Sequence, residues 1–283
     1  MRNRDQKSGQ ARAKYSTMSK TNKFILWCVS VAITSFWMWA GAKSWLSGSL
    51  FDNNNLDNFG IFAGLSIVLL CLLSLGAIFF RGKKEALIFS GIIGLMFFAV
   101  FGISNFYLVG VTLLILLFIS VDDMVSGEIG ERIKMNSRIL IRKGLTNFVL
   151  GLFILVSFAA YHSPAIESFK DITELPSAST VFINTIVEQT LSGQLAQVES
   201  GQKELVLNQV TSEVVREANL FLEPYFQYAP PALAFGLFLV LWGVSWIFIW
   251  LAVFLGLLMF QILKKVKFFK IEEIDVKAER LII

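Results

Sequence analysis

Six apolar runs constrain this chain more than any other feature. Residues 24–42, 60–80, 86–103, 106–121 and 145–161 each approach the length of a membrane crossing, and residues 232–263 exceed it. Crossing a hydrocarbon core of about 30 Å takes roughly 20 helical residues, and every backbone N–H and C=O inside it must be paired within the segment. Runs of this kind therefore form helices. With 55% hydrophobic and 16% charged residues and a mean hydropathy of +0.65, the composition excludes an ordinary soluble domain. The expected fold is an all-α polytopic membrane protein: six transmembrane helices, with an extracytoplasmic amphipathic helical hairpin between the fifth and sixth.

The basic residues orient those helices, because Lys and Arg near span ends are retained in the cytoplasm. They cluster in the first 23 residues, at Arg81, Lys83 and Lys84, from Arg132 to Lys143, and from Lys264 to Arg280. Of 25 Lys and Arg, only Lys43, Lys170, Lys203 and Arg216 fall in the other connections. Both ends of the chain are thus expected in the cytoplasm of a cell with a plasma (inner) membrane. The net charge of +4 reads as orientation and as contact with anionic lipid headgroups, with no nucleic-acid partner implied. The absence of an N-x-S/T sequon in the outer segments agrees with a bacterial or archaeal membrane.

The same logic divides the chain. Residues 1–23 form a basic cytoplasmic segment, 24–121 a four-helix membrane region of two hairpins, and 122–144 a cytoplasmic connection. That connection spaces Ile129, Ile133 and Leu140 for an amphipathic helix on the inner leaflet, with a solvated linker as the alternative. Residues 145–161 form the fifth span. In 162–231, Ile183, Val187, Leu191, Leu195 and Val198 share one helical face, and Leu207, Val210, Val214, Ala218 and Phe221 another. Pro176 and Ser177 precede the first helix, Ser200-Gly201 turns the pair, and Pro224 stops the second. The span at 232–263 would be about 48 Å long as a straight helix, so its first part overhangs the membrane and is expected to brace the hairpin. Residues 264–283 are a cytoplasmic tail, read as disordered, as a strand, or as a partner-binding peptide.

Individual residues mostly carry structural expectations. Trp27, Trp37, Trp39 and Trp45 sit near the ends of the first span, where indoles favour the headgroup level, as do Tyr225 and Tyr228 before the last. Lys43 reads as a snorkelling anchor. Ala40-Gly41-Ala42 has the form of a signal-peptidase site, which competes with a retained first helix. Cys28 and Cys71 are packing thiols. Gly60, Gly64, Gly91, Gly94 and Gly151 offer close helix contacts, and Trp242, Trp246 and Trp250 form a stripe facing lipid or another helix.

Candidate chemistry is sparse. The span interiors hold no ionisable residue. Their hydroxyls, at Thr34, Ser35, Ser66, Ser74, Ser90 and Thr112, are expected to bond back to their own backbone. His162 is the single histidine and lacks partners for a triad or a metal site. Asp122 and Asp123, with Glu128 and Glu131, or Asp52 and Asp57, suggest cation sites, although carboxylates at span ends are commonly solvated terminators. No catalytic, cofactor-binding or metal-ligating residue is assigned, and no cofactor or enzyme activity is expected. The leading expectation is a non-enzymatic structural or accessory subunit that meets a protein partner through the extracytoplasmic hairpin. The alternative is a channel or facilitator for an uncharged or lipidic substrate.

Overall fold

The computed structural model describes residues 19–48, 55–131, 137–167, 183–190, 200–226, 228–266 and 268–269. Among them every regular element is a helix: α1 (Lys20–Ser47), α2 (Leu56–Phe79), α3 (Lys83–Phe101), α4 (Asn105–Glu131), α5 (Ser137–Tyr161), the single turn α6 (Pro164–Glu167), α7 (183–190), α8 (Ser200–Phe226) and α9 (Ala229–Lys265). Six of these, α1 to α5 and α9, are long and apolar enough to cross a membrane. The protein is an all-α, multi-pass membrane protein.

Two helices form the centre. The most apolar windows of α2 and α5 are each 61% buried, against 28–33% in the other four. α1 packs on α2 and α3, α4 on α3 and α5, and α9 on α5 and α2, while α2 touches α5 through the middle. Leu69, Leu73, Ile141, Val149, Leu152 and Val156 fill that middle, none more than 2% exposed. The expected hairpins α1–α2 and α3–α4 are both present.

Helix ends follow local chemistry. Ser163 begins α6, with its hydroxyl accepting from the Ile166 N–H and Pro164 at the first helical position, where a missing N–H costs nothing. α9 starts on Pro230 and Pro231 for the same reason and ends on Lys264 and Lys265, cations that suit the negative end of the helix dipole. Gly102 closes α3 at φ 86°, returning its N–H to the Phe98 carbonyl.

Several expected boundaries move. Among the described residues the expected connection at 122–144 is taken up by its two neighbours: α4 runs on to Glu131, and α5 already begins at Ser137. Extending an existing helix adds a bond per residue without a new nucleus. Leu140 is consequently a buried core residue of α5, and Ile133 lies outside the described residues. Ser200-Gly201 lies within the first turn of α8, and that helix passes Pro224 to end at Phe226. Pro176, Ser177, Leu191, Leu195, Val198, Asp52 and the tail beyond Phe269 lie outside the described residues. The last span is longer than expected, with 37 residues, or about 55 Å. Among the described residues its overhang rests on α5 and on the turn α6, and α8 makes no extended contact with it. Within the described residues the expected brace on the hairpin is not seen, and α6 fills that place.

Candidate functional site

The interior polar groups are largely spent on the helices that carry them. Ser66 donates to the Phe62 carbonyl, Ser74 to Cys71, Ser90 to Leu87 and Thr112 to Leu108, at 2.7–3.0 Å. Ser35 departs from that expectation. Its hydroxyl and the indole N–H of Trp39, one turn further on, are fully buried without a hydrogen-bond partner among the described residues. Trp39 instead packs edge-on against Phe97 at 5.0 Å. One inter-helix polar contact was not anticipated: Asn147 of α5 donates to the Ser120 hydroxyl of α4 at 2.8 Å.

Three of the four tryptophans on α1 are buried and serve packing, leaving Trp37, 60% exposed, as the lipid-facing one. Trp27 donates to the Leu72 carbonyl at 3.0 Å, an approach allowed because Gly76 leaves room for the indole. Trp45 stacks on Phe62 at 5.6 Å, and its carbonyl accepts from buried Asn55 at 2.7 Å. Lys43 donates to the Val100 carbonyl at 2.8 Å. It thereby satisfies a carbonyl at the C-terminal end of α3. Ala40-Gly41-Ala42 lies inside continuous helix, with Ala42 fully buried.

The charged candidates at the basic end also have structural uses. Asp122 accepts the Gly82 N–H at 3.0 Å, and exposed Asp123 pairs with Lys83 at 3.2 Å. Together they tie the α2–α3 turn, where Gly82 takes φ 139°, to the end of α4. No group of three or more His, Cys, Asp or Glu that could hold a metal occurs among the described residues. Asp57 is exposed in the first turn of α2, where a carboxylate suits the helix dipole. Cys71 packs against Met259, 3.9 Å between sulfurs, and His162 lies edge-on to Phe106, Tyr107 and Tyr161 at 4.9–5.5 Å.

Two features remain at the opposite end. Val187 of α7 and Leu207 of α8 are buried together with Ile183 and Val210 beside them, and Thr211 donates to Asn184 at 3.1 Å. Higher numbers on α7 meet lower numbers on α8, so the two run antiparallel, on the faces that their spacing predicts. Further along α8, Val214 and Phe221 of the same stripe are exposed, Phe221 by 71%, and Leu220 is exposed on the far side of the helix. The second feature is an apolar groove of about 370 Å³ between α4, α5 and the start of α9, bounded by Phe106, Leu113, Ile154, Phe158, Phe235 and Phe238. The tryptophan stripe of α9 faces outward, with Trp246 and Trp250 each more than 60% exposed.

No protein-family model, curated protein or solved structure matches this chain.

Proposed function

We propose that this chain is a non-enzymatic, multi-pass protein of the plasma membrane, a structural or accessory subunit that binds a protein partner through its exoplasmic helical pair. The observation that carries this reading is the apolar face of α8, buried at Leu207 and exposed to solvent at Val214 and Phe221. Keeping such a face in water forgoes about 25 cal/mol per Å² of coverable apolar surface, and contiguous exposed apolar surface is a common mark of a protein–protein contact. The uses found for Asp122, Asp123, Ser66, Ser74, Ser90 and Thr112 support a non-enzymatic role, since each is engaged in helix structure.

Both chain ends are assigned to the cytoplasm. Support comes from Lys23 and Phe268 meeting at the bundle end that also gathers Arg81, Lys83, Arg138 and Lys264, together with the retention of Lys and Arg on that side. Those basic residues face anionic headgroups, and no nucleic-acid partner is assigned.

A photo-crosslinking residue at Val214, activated in native membranes, tests the partner contact. A discrete heavier product that disappears with Phe221→Glu is expected; products with lipid alone, or none, overturn the reading. A second reading, facilitation of an uncharged or lipidic substrate, draws on the apolar groove beside α9. Proteoliposomes that move neither labelled lipid nor a panel of neutral solutes eliminate it.

A further inference from the structure

The basic end of the bundle contains a built pocket. Just beyond α9 the chain turns back under the helices, the Phe268 N–H donating to the Leu263 carbonyl at 3.0 Å. The Phe269 ring lies 4.8 Å from both Phe79 and Phe260, and Phe268 lies 6.1 Å from Trp27. Lys23 fastens this return: its ammonium donates to the Phe268 carbonyl at 2.6 Å and sits 4.9 Å from the centre of the Phe268 ring. Lys20, nearly one helical turn earlier on α1, joins it at a cavity of about 220 Å³ whose other walls are Phe79, Phe80, Phe268 and Phe269.

Two cations over an aromatic floor select an occupant. Among the described residues no carboxylate lines the cavity, and an ammonium has three donors, so Lys23 keeps two after bonding Phe268 while Lys20 is exposed. The fixed position of Lys23 separates this pair from ordinary surface lysines, because its ordering is already provided by the fold. Directly beside the cavity begin the exposed apolar flanks of α1, at Ile25, Leu26 and Val29, and of α9, at Ile262 and Val266. A fitting ligand thus carries an anion and an apolar body together.

We propose that this pocket binds the phosphodiester headgroup of an anionic phospholipid, with Lys20 and Lys23 on the phosphate and the acyl chains along α1 and α9. The proposal rests on the anionic-lipid contact assigned above to the basic residues and narrows it to one place. Lipid binding here would also lock the end of α9 to the start of α1 through the phosphate.

Native mass spectrometry of the purified full-length chain, offered equal phosphatidylglycerol and phosphatidylcholine, tests it. The unsubstituted chain is expected to retain phosphatidylglycerol preferentially. The double substitution Lys20→Gln and Lys23→Gln should lower that retention by about five-fold or more, the effect of at least one lysine at an anionic surface. Lys264→Gln with Lys265→Gln removes equal charge outside the cavity and should change it less than about two-fold. Lys20→Gln alone, at an exposed side chain, should give a partial loss without disturbing the fold. No preference in the unsubstituted chain overturns the broader lipid reading as well. A preference that both double substitutions weaken equally overturns the pocket alone. Displacement of the lipid by equimolar glycerol 3-phosphate overturns it in favour of a soluble phosphate. A several-fold rise in retention on Glu272→Gln with Glu273→Gln overturns it in favour of the tail's own carboxylates.

Discussion

Gly76 and Gly64 sit on one helix in opposite surroundings. A Cβ at Gly76 would lie 2.9 Å from the Trp27 indole nitrogen and 3.2 Å from the Phe89 ring, whereas at Gly64 it would meet nothing within 4 Å. The indole has no easy retreat, being buried and bonded to Leu72. Gly76→Ala is therefore expected to cost about 1–3 kcal/mol through overpacking, and Gly64→Ala to stay within about 0.5 kcal/mol. Thermal unfolding in detergent checks this, and equal midpoints would refute it. The pair also shows where reading residues from sequence stops. Gly60 and Gly64 have the spacing of a helix-contact motif yet face open space, while Gly76, Gly110 and Gly144, which no motif singles out, meet Trp27, Leu155 and Val121. Among the earlier candidates, Gly94 and Gly151 do meet neighbours, Val111 and Leu114. In lipid both faces of a helix are apolar, so hydropathy does not distinguish the packed face from the bathed one. The tryptophans divide for the same reason: amphipathic shape favours the boundary for all four on α1, but a buried acceptor claims Trp27 and an aromatic cluster claims Trp45.

At the scale of elements, the six spans were legible because length and hydropathy act without regard to neighbours. Boundaries were less so, since α4 and α5 extend past their apolar runs on hydrogen bonds such as Asp122 to Gly82, which depend on a distant turn. The α7–α8 pair was legible where its stripe is strict, at Ile183, Val187, Leu207 and Val210. Its seam has few apolar contacts, so it should open independently of the bundle. Val187→Asp places an unpaired charge in that seam. Limited trypsin digestion is expected to cleave after Arg216, a residue whose side chain is 65% exposed, about tenfold faster in this variant, because proteolysis follows the population of the open form. The unfolding midpoint of the membrane helices should be unchanged. If cleavage is unaltered, α8 is stable without α7; if the bundle melts early, the pair is part of the core.

Across the whole molecule, α1, α3, α4 and α9 surround the central α2 and α5, and among the described residues α9 shares no extended contact with α4, nor do α1 and α9 with each other. Their connection at the basic end is made by two phenylalanines beyond α9. Phe268 touches Trp27 and accepts from Lys23 through its carbonyl, and Phe269 lies between Phe79 and Phe260. The first and last spans are thereby linked through side chains, although each is also held by α2. Replacing both rings by alanine leaves every helix its own backbone bonds and removes only this link. Full burial of one Phe is worth about 3–5 kcal/mol on truncation. Two half-buried rings beside lipid, which solvates apolar groups nearly as well as protein does, should together be worth about 2 kcal/mol. Phe268→Ala with Phe269→Ala is thus expected to lower the unfolding midpoint by several degrees. Because the Lys23 bond is to a backbone carbonyl, the lysine should survive the change in part, so Lys23→Gln added to the pair should lower the midpoint further. A double variant that melts with the parent chain would mean that this link adds nothing to the stability of the bundle.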